Sequence, residues 1–303
     1  MELKRGLVME GGAMRGLFTA GVIDVFMESG VAFDGAIGVS AGACFGCNYK
    51  SKQPGRAMRY NLRFCRDPRY SGVRSLIRTG DIYGAEFCYH TIPEQLDPFD
   101  YETFEQNPME FYVVCTDVET GRPVYHNMAH ARAGEMEWLQ ASASMPLVSR
   151  VVRAGGRGLL DGGVSDSIPL KFFESIGYDR NVVILTQPAD YKKLPNRQIP
   201  LLKLALRGYP NVVESMARRH EVYNAETAYA QSRAAAGAAI VIQPKTALPV
   251  RRIEHDADNL RAAYELGRDA GRERLSEVRE FLRGAPQKNF SQAIDKGGAT
   301  VVK

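Results

Sequence analysis

Gly35-Ala36-Ile37-Gly38-Val39-Ser40-Ala41-Gly42-Ala43 decides the fold of this 303-residue chain. Small and apolar residues from 35 to 39 read as a short buried strand, and 41–50 continues as a helix that breaks before Pro54. Ser40 therefore sits at a sharp strand-to-helix turn, with Gly38 and Gly42 two residues to either side. The G-x-S-x-G pattern suits such a turn. The serine backbone is held in a strained conformation, larger side chains two residues away would collide, and the helix N-terminus points N–H groups at a reacting oxygen. A plainer reading of the same residues makes Ser40 only a helix cap.

Working outward, Gly6-Leu7-Val8-Met9 reads as another buried strand. Gly11-Gly12-Ala13-Met14-Arg15-Gly16 follows as a tight loop. Met14, Phe18, Val22 and Val25 then recur at helical spacing until Gly30 stops the helix. Later strands are expected at 111–115, around Pro123-Val124-Tyr125, and at 158–160, 181–185 and 239–242, with helical patterns between most of them. Short apolar strands alternating with helices predict a three-layer α/β/α fold with a mostly parallel sheet. After Pro195 helices dominate, at 199–207, 211–236 and 256–282. The expected division is 5–190 as the catalytic domain, 195–285 as a mainly helical C-terminal extension and 286–303 as a polar tail.

Composition narrows the function. Hydrophobic residues are 45% and charged residues 24%, as in ordinary globular chains, and no apolar run approaches the roughly 20 residues that span a bilayer. A net charge of +4 is too mild to argue for nucleic acid. Met1-Glu2-Leu3-Lys4-Arg5 leads into a strand without the apolar region of a secretory signal, and the 5 cysteines are an odd count. The expectation is a cytoplasmic protein with reduced thiols that can touch a membrane peripherally.

Gly11-Gly12-Ala13 can bring backbone N–H groups close to a ligand oxygen, as the oxyanion of acyl transfer requires. A dinucleotide-binding G-x-G-x-x-G fails here, because its second glycine falls on Ala13 and no convincing ribose carboxylate follows: Asp34 is close, but it leads into the Ser40 strand. A Ser-His-Asp triad needs a well-placed histidine. None of His90, His126, His130, His220 and His255 sits in a strand-end loop late in the sheet. His126 and His130 have metal-ligand spacing, but Asn127 stands where H-E-x-x-H needs Glu, so no metal site is expected. Leu159-Leu160-Asp161-Gly162-Gly163 offers a base instead, a strand ending in a carboxylate. Alone, Asp161 could equally accept backbone bonds in a D-G turn.

Together and in this order, Glu10-Gly11-Gly12-Ala13-Met14-Arg15-Gly16, Gly38-Val39-Ser40-Ala41-Gly42-Ala43 and Asp161-Gly162-Gly163 resemble the patatin-like phospholipase family. Ala141-Ser142-Ala143-Ser144-Met145-Pro146 resembles the family's A-S-x-x-x-P segment, and Val164-Ser165-Asp166-Ser167-Ile168-Pro169 resembles its continuation past the Asp. The resemblance runs from about 7 to about 187. It implies a serine acyl-ester hydrolase of lipid esters, with Ser40 as nucleophile, Asp161 as base and the N–H groups of Gly11, Gly12 and Ala13 as oxyanion donors. It implies no metal or organic cofactor. Ala13 departs from the family's usual third glycine. Two other readings stay open: a non-enzymatic lipid- or acyl-binding protein and a Ser-His-Asp esterase.

Arg56, Arg59, Arg63 and Arg66 recur at helical spacing, which fits a solvated face or a dock for anionic lipid headgroups. Cys44-Phe45-Gly46-Cys47 spells C-x-x-C, but within a helix it reads as packing.

Overall fold

Alternation along the first strand divides the molecule. Leu7 and Met9 point to one face of the sheet and Val8 to the other, and all three are fully buried. The structure, a computed structural model, describes residues 3–132 and 134–284; the tail expected at 286–303 lies outside the described residues. In chain order the elements are β1 (Lys4–Met9), α1 (Gly16–Glu28), β2 (Gly35–Val39), α2 (Ala41–Lys50), α3 (Arg56–Phe64), α4 (Val73–Thr79), a π-helical segment (Phe87–Leu96), α5 (Tyr101–Gln106), β3 (Glu110–Asp117), β4 (Pro123–Asn127), α6 (Met136–Ser142), β5 (Val152–Ala154), β6 (Arg157–Asp161), α7 (Leu170–Ser175), β7 (Tyr178–Ile184), α8 (Ile199–Ala205), α9 (Pro210–Ala235), β8 (Ala239–Ile242) and α10 (Ala257–Leu282).

The sheet runs β5-β6-β3-β2-β1-β7-β8, with β4 also on β3. Its five central neighbours, from β3 to β8, pair in parallel, whereas β4, β5 and β6 pair antiparallel. The α/β expectation holds, with the antiparallel pairs confined to one end. β5 and the π-helical segment are not legible in the sequence pattern, β5 because three residues carry no period and the segment because it contains Pro93.

The pairing of β3 positions the site. β4 lies along one edge of β3, from Tyr112↔Asn127 to Thr116↔Pro123. The other edge is shared. β2 occupies it up to Val39↔Val114, and β6 takes over from the opposite direction at Cys115↔Asp161. Ser40, which follows Val39, and Asp161, the last residue of β6, therefore meet where the two strands abut.

Helices α1, α2 and α10 cover one face, and α7 and α9 the other. The region after Pro195 is thus built into the layers: β8 extends the sheet on β7, and α10 packs along α1. That helix crossing is close. A Cβ on Gly21 would come within 2.1 Å of the Tyr264 carbonyl oxygen, and one on Gly267 within 2.0 Å of the Phe18 carbonyl oxygen. Asp24 of α1 accepts from the Tyr264 hydroxyl at 2.6 Å and from Gly55 N–H at 2.9 Å. Arg268 pairs with Glu28 at 2.7 Å.

The arginines at 56, 59, 63 and 66 bond protein acceptors, Arg56 buried and the other three exposed. Arg56, 4% exposed, donates to the Asp97 carbonyl and to Asn48. Arg59 pairs with Asp97 at 3.1 Å, Arg63 donates to the Leu96 carbonyl and Arg66 to the His255 carbonyl. Arg56, Arg59 and Arg63 thus hold the C-terminal end of the π-helical segment, where carbonyls lack helical partners and attract cations. Among the described residues, no helix is long and apolar enough to cross a membrane.

Gly267→Ala is expected to push α10 off α1 and cost about 2–3 kcal/mol. A urea midpoint no lower than that of the wild type would contradict this account of the helix crossing.

Candidate active site

The elbow at Ser40 follows from its neighbours. Ser40 has φ 54° and ψ −123°, a left-handed conformation that a non-glycine residue adopts only under constraint. The constraint is steric at two glycines: a Cβ on Gly38 would lie 2.6 Å from the Ala43 backbone, and one on Gly42 would lie 2.4 Å from the Met9 carbonyl oxygen. A hydrogen-bond relay completes it. Ser142, fully buried at the end of α6, accepts from Ser40 N–H at 2.8 Å and donates to the Val114 carbonyl at 2.6 Å. One hydroxyl thereby ties the elbow to β3 where β2 ends. Asp161 N–H donates to the Ser144 carbonyl at 2.9 Å, so the 142–144 segment holds both sides of the junction.

Asp161 is 2% exposed. It accepts from Gly163 N–H at 2.8 Å. Burial pushes its carboxyl up to about 6, against the Arg219 guanidinium, the neighbouring Ser40 hydroxyl and the Gly163 N–H, which favour the charged form. The ordinary value is 3.8, so its ionised form is penalised but accessible near neutral pH.

Both side chains line a cavity of about 680 Å³, within the roughly 300–1000 Å³ range of small-molecule sites. Gly11, Gly12 and Ala13 line the same cavity, and among the described residues their N–H groups have no protein acceptor. Gly11 is tight against the elbow: a Cβ there would lie 2.8 Å from the Ser40 Cβ. Ala13 has φ 50°, so the alanine takes the left-handed turn that glycine adopts freely. Arg15 lines the cavity and its Nε is buried without a partner, while Gly16 packs against Ala41 and Phe45. The sequence-derived residues thus come together, with Gly162 closing against the Val114 carbonyl and Gly163 beside Arg219.

Other parts of the site lie outside the motif reading. Glu10, 2% exposed, accepts from Thr186 N–H at 2.6 Å and from the Tyr223 hydroxyl at 2.8 Å, anchoring the glycine loop to the end of β7 and to α9. Burial raises its pKa. Arg219 of α9 donates to the Gly163 carbonyl beside Asp161. A Glu directly before the Gly-Gly pair was a readable signal, but nothing local marks one arginine on a 26-residue helix.

Among the described residues, His220 is the histidine that lines the cavity. Its Nδ1 bonds the Ala217 carbonyl at 3.1 Å, and no histidine bonds Ser40 or Asp161. His126 stacks on Trp138 and bonds Glu135 at 2.7 Å. Burial raises the Cys44 and Cys47 thiols to about 12, which leaves them unreactive.

The comparison with known families now decides the assignment, because the patatin-like phospholipase model matches residues 7–173. The chain belongs to the patatin-like phospholipase family. A second model, a domain of unknown function (DUF6363), matches residues 209–283. The chain is 31% identical over 198 residues to the uncharacterized protein YjjU of Escherichia coli (strain K12), covering 62% of this chain and 54% of that relative. It is 28% identical over 187 residues to lysophospholipase nte1 of Aspergillus terreus (strain NIH 2624 / FGSC A1156), covering 57% of this chain and 11% of that protein. The chain therefore spans about half the length of the first relative and about a tenth of the second. The crystal structure of VipD from Legionella pneumophila aligns over 91% of this chain and 67% of that one, with a TM-score of 0.45 and 13% identity.

Ser142→Ala would strand the Ser40 N–H and the Val114 carbonyl in a dry site, at a cost of about 2–3 kcal/mol. Denaturant unfolding of the purified variant measures this, and an unchanged midpoint would show that the relay does not support the elbow.

Proposed function

We propose that this patatin-like protein is a serine acyl-ester hydrolase of lipid esters, working through a Ser40–Asp161 dyad and an acyl-enzyme. One observation carries the reading: Ser40, at the N-terminus of α2, and the buried Asp161 carboxylate line one cavity that also holds the unengaged N–H groups of residues 11–13. Ser40 Oγ attacks the ester carbonyl carbon while its proton passes to Asp161. The glycine-loop N–H groups receive the negative charge that develops on the carbonyl oxygen. Collapse breaks the ester bond, and Asp161 returns the proton to the leaving alkoxide. Water then attacks the acyl-Ser40 ester, giving its proton to Asp161, and the fatty acid leaves as Ser40 regains a proton. Every proton is accounted for within the dyad, and no step calls on a metal or organic cofactor.

Residues 5–190 supply the dyad and loop in this reading, and 195–284 complete the pocket. The apolar wall of Phe45, Tyr60, Tyr70, Ile82, Tyr89 and Ile92 suits an acyl chain. We assign peripheral contact with anionic membrane to the cavity rim rather than to the α3 arginines. Leu194 lines the cavity and is 75% exposed, Leu204 on α8 is 72% exposed, and Arg197, Lys203 and Arg207 are exposed beside them. The five unpaired thiols fit a reducing compartment, and we place the protein on the cytoplasmic side.

Ser40→Ala and Asp161→Asn are each expected to lower p-nitrophenyl ester turnover by at least about 10³-fold. Fluorophosphonate labelling should vanish in Ser40→Ala. Turnover that survives in Ser40→Ala would remove the nucleophile assignment.

The base form is the carboxylate, so kcat/KM should fall as pH drops through about 6. Stability runs the other way. A raised folded pKa gives stability that is present below 3.8 and lost as pH rises through about 6, a loss on the order of 3 kcal/mol. Asp161→Asn should escape that loss, so its stability relative to the wild type should improve from acid to pH 7. Parallel pH curves from denaturant unfolding would contradict a penalised carboxylate.

A further inference from the structure

The two walls of the cavity differ in kind. Opposite the apolar side, Lys193, Arg219 and Arg252 converge from three separate elements: the segment after β7, the helix α9, and the segment between β8 and α10. Each is positioned by the fold. Lys193 and Asn224 exchange hydrogen bonds, backbone N–H to side-chain Oδ1 at 2.9 Å and Nδ2 to backbone carbonyl at 3.0 Å. The Lys193 Nζ lies 4.1 Å from the Tyr223 ring centroid. Arg219 sits one turn before Tyr223 on α9 and donates to the Gly163 carbonyl. The Arg252 carbonyl accepts from the Tyr83 hydroxyl at 2.9 Å, which fixes that segment at the cavity.

These cations lack the partners that cations elsewhere in the fold have. Arg56, which lines the apolar side, pairs with Asp97 at 3.4 Å. Among the described residues neither Lys193, Arg219, Arg252 nor Arg15 forms an ion pair with a carboxylate. The nearby carboxylates accept from other groups: Glu10 from Thr186 and Tyr223, Asp161 from Gly163, and Glu226 from the Ser167 and Ile168 N–H groups. A second, independent observation is the Arg15 Nε, buried in the same cavity without an acceptor. Burial first, and then the neighbouring Arg219, Arg15 and Arg252, lower the Lys193 ammonium to about 8, with Glu10 opposing them.

We propose that Lys193, Arg219 and Arg252 form a phosphate subsite, so that the preferred substrate is a monoacyl lipid whose headgroup carries net negative charge. The proposal rests on the hydrolase reading for the word substrate, but the anion site stands on its own geometry. With the acyl chain along the apolar wall and the ester at Ser40, the headgroup falls among the cations. Guanidiniums match phosphate oxygens in charge and geometry. A quaternary ammonium would meet repulsion there, because Lys193 already covers the face of Tyr223 that could have received it. The subsite also gives a role to the 209–283 region, which supplies Arg219 and Arg252.

The test compares kcat/KM for lysophosphatidic acid and lysophosphatidylcholine of one acyl chain, both presented as monomers. The wild type should favour the anionic lipid by about 10-fold or more, a difference of about 1.4 kcal/mol. In the double variant Lys193→Gln/Arg252→Gln the ratio should fall toward one, mainly through KM, whereas the charge-keeping Lys193→Arg/Arg252→Lys should retain it. A wild-type ratio near one, a ratio that the Gln pair leaves unmoved, or an equal loss in the charge-keeping pair each overturns the proposal. Calorimetry on Ser40→Ala, which needs no turnover, separates this from the hydrolase reading. If no ester is hydrolysed but glycerol 3-phosphate binds and the Gln pair abolishes that binding, the hydrolase reading fails and the phosphate site stands. Lysophosphatidic acid should bind at least about 100-fold tighter than inorganic phosphate, because the apolar wall adds to the charge. Equal affinities would make this a free-phosphate site and overturn the lipid assignment.

Discussion

One edge of β3 carries the site. A strand edge normally pairs with one neighbour, yet here β2 and β6 share it, entering from opposite directions and meeting between Val114 and Cys115. Parallel β2 must leave the sheet through a helix, so its end becomes the elbow at Ser40. Antiparallel β6 ends in the same place with Asp161. The backbone positions that carry the serine and the carboxylate are therefore set by strand register. Ser142 guards the seam, since its hydroxyl pairs the Ser40 N–H and the Val114 carbonyl that the change of strands would leave open. The Thr116 hydroxyl does the same for β6, donating to the Asp161 carbonyl at 2.8 Å.

The site is assembled against stability. Asp161 and Glu10 are nearly inaccessible, and burial raises both carboxyls above their ordinary range. An ionised carboxylate in such a place is tolerated only with hydrogen bonds and nearby cations. Arg15, inside the patatin-matched segment, is one such cation near Glu10; the others come from outside it, Arg219 beside Asp161 and Lys193 near Glu10, with the Tyr223 hydroxyl on Glu10 itself. The segment after residue 195 is thus electrostatically part of the site as well as part of the sheet.

Much of this was legible in the sequence because the requirements are local. A strand, a G-x-S-x-G turn and a helix must be consecutive, and so must a strand, Asp161 and Gly162-Gly163; the elements bearing Ser40 and Asp161 were readable for that reason. The parallel core follows from strand–helix alternation and the β4 arm from a local hairpin, while the antiparallel β3–β6 pairing joins residues more than 40 apart and no local pattern encodes it. Arg219, Lys193 and Tyr223 were illegible for a related reason: their partners lie at Gly163, Asn224 and Glu10, and only the folded chain brings them together. The α3 arginines show the opposite hazard. Their spacing is periodic and fits a solvated face or a lipid dock; Arg59 and Arg63 are exposed, yet Asp97 and the Leu96 carbonyl at the end of the π-helical segment bond them, and Arg56 is buried.

Strain marks the same place. Among the described residues, four non-glycine residues have positive φ, and three of them, Ala13, Ser40 and Leu147, line the cavity; Lys52 is the exception. Each such residue costs on the order of 1 kcal/mol or more, so their gathering needs a surrounding structure that over-determines the backbone. For Ala13 that structure is visible. Glu10 anchors the strand end before it, the Arg15 N–H closes on the Gly12 carbonyl at 3.2 Å, and Met14 is buried immediately after. The loop is held from both sides, so the left-handed turn survives the loss of the glycine that the family usually places there. The alanine Cβ narrows the other conformations open to that turn, which lowers the entropy that folding must remove there.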